Sequence, residues 1–481
     1  MRTQIIPPAR LRKSQYGVDP ALVKKRGAEL PGMTSVLLTD LFPDLPKTIY
    51  PGNNGIGTIR QDTEATLANV DLRRIRKGQT VNILTSHHGF TILGGEPYAE
   101  MIRTIKDVVE SRTGAQVRLR AGVGLRFRET EEYIKSFKLD EYFNGQAMGM
   151  APIDRGVPIE TEIGTLYGIK KAYDADWIIH AHNSDVREIH FHRQVDRAIK
   201  PFGMSYARIE TRSTYHQNLG PRGANFVARS IFNSPFVQNK FAFACFLLMS
   251  PHGVVRADAD NDLDALDQRV NVAGLKYYGK VLNLLAEIDR CIAILDFSCP
   301  VCYVFAGGVI YANFLGVNAD LFDLEGTPLP SYTWYTEAFY DHDGKPMLAE
   351  IPPVNPAIKM VVQNHAWVGY PSKFFAEHVP TVVVGREQAD LFNLDSQNSR
   401  YMESAVVADT LEGAMDFAHK LAGTDQVIIF DGAPGGFNVS ASLARKLEAA
   451  APRVSAKVEK ELLPKWMKQR GIDVAVLQQI P

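Results

Sequence analysis

The sequence predicts an α/β protein: two α/β domains with parallel-rich sheets and an active-site cleft between them. Three observations predict this. Short β-rich runs alternate with amphipathic helical stripes, the pattern of βαβ units and a parallel sheet. The chain has 481 residues, 45% of them hydrophobic, which is apolar mass for two to three domains of roughly 150 residues each. Polar or basic loops follow three of the strand signals, and open α/β sheets bind ligands at the carboxyl ends of their strands.

Residues 1–75 are rich in Pro and Gly and are expected to form an extended N-terminal wrapping segment; Tyr50-Pro51-Gly52-Asn53-Asn54-Gly55 reads as turns. A cofactor-binding α/β domain is expected over 76–270. It opens with a strand over 80–85 and a helix over 97–112, whose Met101, Ile102, Ile105, Val108 and Val109 share one stripe. The alternation of QVRLRA predicts a strand over 116–121. A helix over 129–137 and a strand over 176–181 follow. The second α/β domain is expected over 271–440, with a helix over 274–288 and a strand over 291–297. A stretch at about 317–356, dense in Pro, Asp, Gly and aromatic residues, reads as a surface insertion. Then come a buried strand over 379–385, a helix over 410–421 with Leu411, Ala414, Met415 and Ala418 on one face, and a strand over 426–431. Residues 441–481 read as a charged helical tail.

Charge and cysteine content exclude several classes. Lys+Arg is 53 against Asp+Glu 54, a net charge of −1, and a general nucleic-acid binder carries a basic excess. Ordinary apolar and aromatic content argues against disorder. The four Cys (Cys245, Cys291, Cys299 and Cys302) are too sparse for a disulfide scaffold, so the expected setting is a reducing cytoplasm. Cys299-Pro300-Val301-Cys302 has CxxC spacing without a second pair to complete a zinc site, and both thiols are expected to be buried. The apolar run 241–249 is shorter than the ~20 residues a bilayer requires. The first residues lack the apolar stretch of a signal peptide. No membrane partner is expected.

Three post-strand loops nominate a site. They are Ser86-His87-His88-Gly89, Gly122-Val123-Gly124-Leu125-Arg126-Phe127-Arg128 and His182-Asn183-Ser184-Asp185. Seven of the 12 His fall between residues 87 and 216 of this first domain: His87, His88, His180, His182, His190, His192 and His216. His180-x-His182 and His190-x-His192 each put two imidazoles on one side of an extended backbone, and neutral imidazole is a common metal ligand. No nearby set of Cys or acids completes a zinc tetrahedron.

The chain has Glu188-Ile189-His190, then Lys200 ten residues after His190, then His216 sixteen residues after Lys200. This spacing resembles the nickel-pincer-nucleotide-dependent lactate racemase family of α-hydroxyacid racemases and epimerases. Those intervals match the family's Glu-x-His, cofactor Lys and nickel-ligating His, and Pro201 and Gly203 follow the Lys as they do there. The run VNILTSHH takes the place of the family's Ser-Asp-x-Thr-Arg-Pro loop. Gly124-Leu125-Arg126 stands where the family has Gly-x-His, and Gln194, Val195 and Asp196 replace a Ser-Gly-Gly run. Residues 407–431 resemble the family's C-terminal helix and strand, and Trp367 falls near an active-site tryptophan. The resemblance spans roughly residues 70–435.

The resemblance implies an isomerase, a racemase or epimerase acting on a lactate-like or larger sugar-acid-like hydroxy acid. Its cofactor would be the Ni(II) pyridinium-3,5-bisthiocarboxylic acid mononucleotide, made by cofactor-synthesis proteins. Lys200 would tether it, His216 would ligate nickel, and Ser86 and Glu188 would lie beside it. His190 would be the general base. Arg stays protonated, so Arg126 does not replace the family's second acid/base; that role is expected of His87 or His88. Arg126 and Arg128 would bind the substrate carboxylate in bidentate fashion, and Trp367 would wall the pocket. Two other readings stay open: a divalent-metal enzyme using the His180–His192 cluster without the pincer cofactor, and a non-catalytic relative that binds a small acid.

Overall fold

The computed structural model describes residues 5–8, 11, 18–50, 55–91, 95–123, 129–184, 198–214, 220–297, 314, 320–325, 355–365, 379–394 and 405–481. Two mostly parallel sheets dominate, and the fold class is α/β. The first strand, β1 (Met33–Leu37), joins the sheet formed by the last strands of the chain. β2 (Thr80–Ser86), β3 (Gln116–Gly122) and β4 (Ala147–Met150) follow, then a separate antiparallel hairpin of β5 (Gly156–Thr161) and β6 (Gly164–Ile169). β7 (Trp177–Asn183), β8 (Phe241–Ser250) and β9 (Gly253–Asp260) complete the first sheet, in the order β4-β3-β2-β7-β8-β9. Only the β8–β9 pair is antiparallel there.

The second sheet adds β10 (Cys291–Asp296), β11 (Ile358–His365), β12 (Thr381–Val384), β13 (Ala405–Ala408), β14 (Val427–Phe430) and β15 (Gly436–Ser440). Its order is β1-β15-β14-β10-β11-β12-β13, and the run from β14 to β13 is parallel. The helix Gly55–Leu67 packs on the helix Glu96–Thr113 and on β9, so residues before β2 serve both sheets.

The elements predicted from periodicity are present, with shifted ends. The helix predicted over 97–112 is Glu96–Thr113, between Gly95 and Gly114. The helix predicted from 274 begins earlier, at Leu263, because the Asp262 carboxylate accepts the N–H groups of Asp264 and Ala265. Thr410 caps Leu411–Ala422 in the same way, and Gly423 ends it at φ 58°, a conformation that glycine adopts without steric cost. β8 is buried along its whole length and therefore lacks the alternation that marks a half-exposed strand. One apolar cluster runs from the first sheet through Leu263–Leu285 into the second. A smaller one lies on the other face of the second sheet, around Ile294, Val362 and Met415. Among the described residues no helix is long and apolar enough to cross a membrane. Most of the insertion expected at about 317–356 lies outside the described residues, as do Cys299 and Cys302; Cys245 and Cys291 are buried.

Candidate functional site

From β2 the sheet extends through β3 and β4 on one side and through β7 and β8 on the other. Chain order therefore reverses between β2 and β7, and the crevice at their carboxyl ends is the sheet's switch point, where this class of fold binds ligands. Ser86 ends β2, His87 opens the short helix His87–Thr91, and Asn183 ends β7; all three are buried. The Tyr98 phenol ties the two strands together. It donates to the Ala181 carbonyl at 2.7 Å and accepts from the Ser86 N–H at 3.3 Å. Beside it, the Asn183 N–H donates to His182 Nδ1 at 2.8 Å.

The stretch that carries Lys200 seats on these strand ends. Lys200–Gly203 is a single helical turn, with Lys200 half-buried and Pro201, Phe202 and Gly203 buried. Ser205 Oγ donates to Ser86 Oγ at 3.1 Å, joining this stretch to the end of β2. At the end of β3, a Cβ on Gly122 would lie 2.1 Å from the Ser205 carbonyl oxygen, so only glycine admits this approach of backbone to backbone. From β7, His180 reaches the same stretch. Its Nε2–H donates to the Ala198 carbonyl at 2.7 Å, and its Nδ1 accepts from the Tyr206 hydroxyl at 2.9 Å. Burial pushes the His180 imidazole down to about 3, with His182 adding to the effect and the Ala198 bond opposing it.

His180 is therefore a neutral ring with both nitrogens committed, and it has no lone pair to give a metal. This counts against His180 as a member of the His180–His192 metal cluster that the sequence left open as an alternative; His190 and His192 lie outside the described residues. Among the described residues, no group of three or more His, Cys, Asp or Glu is arranged to hold a metal ion.

Of the residues singled out in the sequence, the structure brings Ser86, His87 and Lys200 to one end of the first sheet. Arg126, Arg128, Glu188, His190, His216 and Trp367 lie outside the described residues, as does the side chain of His88. Sequence reasoning missed Ser205, Tyr206, Tyr98 and Arg212. Arg212 is buried on the short helix Ile209–Ser213. Its Nε donates to the Ala207 carbonyl and its Nη2 to the Val123 carbonyl, each at 3.0 Å, and burial lowers it to about 10. The one sequence signal for these residues is their proximity to Lys200 and His216; Tyr98 has none beyond its place on the helix stripe.

No protein-family model matches the chain, and no curated protein matches it. Among solved structures, the chain is similar to the lactate racemase apoprotein from Thermoanaerobacterium thermosaccharolyticum. The identity is 14% and the TM-score 0.45, over 78% of this chain and 92% of that chain.

Proposed function

We propose that the chain is a racemase or epimerase of an α-hydroxy acid that removes a hydride from the substrate carbon and returns it, with a nickel pincer nucleotide carried on Lys200. The observation that carries this reading is that the stretch around Lys200 is held to the first sheet on both sides, by Ser205 at the ends of β2 and β3 and by Ala198 on His180 within β7. This supports the choice of Lys200, because an α/β sheet of this kind binds ligands at the carboxyl ends of its strands.

The α-hydrogen of a hydroxy acid is not acidic beside an ionised carboxylate. Loss of hydride instead gives a planar ketone, and reduction from either face gives either configuration. When bound, the pincer cofactor supplies the hydride acceptor that no side chain offers. Among the described residues, Ser86 and Lys200 are the ones that would hold such a group. Ser86 Oγ accepts from Ser205, so its own proton is the one it can turn toward an anionic ligand. The Lys200 amine springs from a turn fixed on both sides. Attachment at Lys200 would remove the entropic cost of positioning, and His216 would ligate nickel.

The remaining steps belong to the chain's own residues. His190 takes the hydroxyl proton and gives it back, since an imidazole titrates near neutral pH. His87, at the end of β2, or its neighbour His88 serves the opposite face. Arg126 and Arg128 grip the substrate carboxylate, and Trp367 walls the pocket.

The test is intact-mass and metal analysis of the chain co-expressed with pincer-synthesis proteins. The expected result is an adduct on Lys200, with nickel in the same preparation. Lys200→Ala should lose the adduct and lower racemisation of chiral α-hydroxy acids roughly a thousandfold. An unmodified Lys200 and no nickel in that preparation would sink the proposal.

A further inference from the structure

We infer that His180 is a positioning residue that grips both ends of the Lys200 turn and so sets where the Lys200 amine is presented. The inference rests on the reading of Lys200 as the attachment point. Ala198, which accepts from Nε2, lies two residues before Lys200; Tyr206, which donates to Nδ1, lies after the turn. Tyr206 is itself bound into the turn, because its N–H donates to the Pro201 carbonyl at 2.9 Å. One strand residue thus holds the stretch at two points, with Lys200 between them.

The two bonds also fix each other. A carbonyl only accepts, so the imidazole hydrogen must sit on Nε2; Nδ1 must then accept, and the Tyr206 hydroxyl must donate. Ring packing prevents the imidazole from turning away. Phe202 and Phe246 each stand edge-on to it with centroids 5.2 Å away, and Tyr206 stands at 5.7 Å. An apolar side chain would fill the same space but hold neither end of the turn. The imidazole has no nitrogen left for a metal or a substrate, so its contribution to the site passes through the backbone it holds.

The comparison uses His180→Leu, which removes both bonds, and His180→Gln, whose amide can donate to Ala198 and accept from Tyr206. The readout is the rate at which acetic anhydride acylates Lys200, followed by peptide mass spectrometry, with Lys468 on the distant C-terminal helix as internal reference. His180→Leu is expected to raise the Lys200 rate relative to Lys468 by roughly fivefold or more, as the turn opens locally. His180→Gln is expected to restore it to within about twofold of wild type. A wild-type ratio in folded His180→Leu overturns the inference, as does failure of His180→Gln to rescue. Should His180→Leu not fold, Tyr206→Phe decides: it releases one end of the turn, and an unchanged Lys200 rate in that variant overturns the inference equally. The two proposals fail separately. Absence of the adduct from wild-type protein removes the pincer reading and leaves the acylation comparison standing. An adduct on wild type with equal acylation rates in all variants removes only the role of His180.

Discussion

Gly122 shows how much of the site depends on single backbone atoms. With the Ser205 carbonyl 2.1 Å from the Cβ that alanine would add, Gly122→Ala must either push the Lys200 turn off β3 or distort the strand end. Overpacking of this kind costs about 1–3 kcal/mol. The variant should show a lower urea midpoint with the wild-type slope, and a wild-type midpoint would mean that the carbonyl yields without cost. The sequence marked Gly122 only as the start of a polar loop, because the atom that requires glycine belongs to a residue far along the chain. His180 was legible as a histidine on a strand, and its pairing with His182 suggested metal. Spacing does not separate an imidazole with a lone pair to give from one whose nitrogens are both taken; the partners that settle it, Ala198 and Tyr206, are themselves unremarkable in sequence.

At the scale of elements, the N-terminal segment closes the switch point of the second sheet. β11, β12 and β13 extend from β10 on one side, and β14 lies on the other. Asp296 ends β10 at this crevice, wholly buried. It accepts from Arg26 Nε at 2.8 Å, the Gly27 N–H at 2.9 Å and Asn364 Nδ2 at 2.6 Å. Arg26 Nη2 also binds the Asp296 carbonyl at 2.9 Å. Arg26→Ala would leave a buried carboxylate without its cation, a loss of about 3 kcal/mol. Urea unfolding should show that loss, and adding Asp296→Asn to the variant should recover part of it; additive losses would contradict the pairing. The sequence showed β10, β12, β14 and the helix Leu411–Ala422 through their apolar runs, but not β11, which supplies Asn364 to this site. It did not show β1 or β15, whose pairing joins Met33 to Ser440, nor β8, whose continuous burial erases the period. Pairing across such distances is settled by the core the strands share, which no local window contains.

Over the whole molecule, a neutral net charge conceals buried groups that respond to pH in opposite senses. Burial holds His180 at about 3 and His365 at about 4, both below a free histidine. Their stabilising contribution is present above roughly pH 6.5 and is lost as the pH falls toward those values. Asp431 acts the other way. It is buried just past β14, and burial pushes it up to about 7; Asp296 adds to the shift, while bonds from Asn438 and Ala433 oppose it. Its contribution is present in full below about pH 4 and is lost as the pH rises through about 7. Between these limits the two trends offset one another, so the wild-type profile is flatter than either alone. Removing one group exposes the other. Stability of Asp431→Asn relative to wild type should improve as pH rises from about 4 to 8, by up to about 4 kcal/mol for a three-unit shift. His180→Gln should show the opposite slope, gaining on wild type as the pH falls below about 6.5. Urea unfolding at about pH 4, 6 and 8 measures both slopes. A difference between Asp431→Asn and wild type that does not change with pH would place the Asp431 carboxyl in the ordinary carboxylate range and leave the acid-side loss from His180 and His365 without that offset.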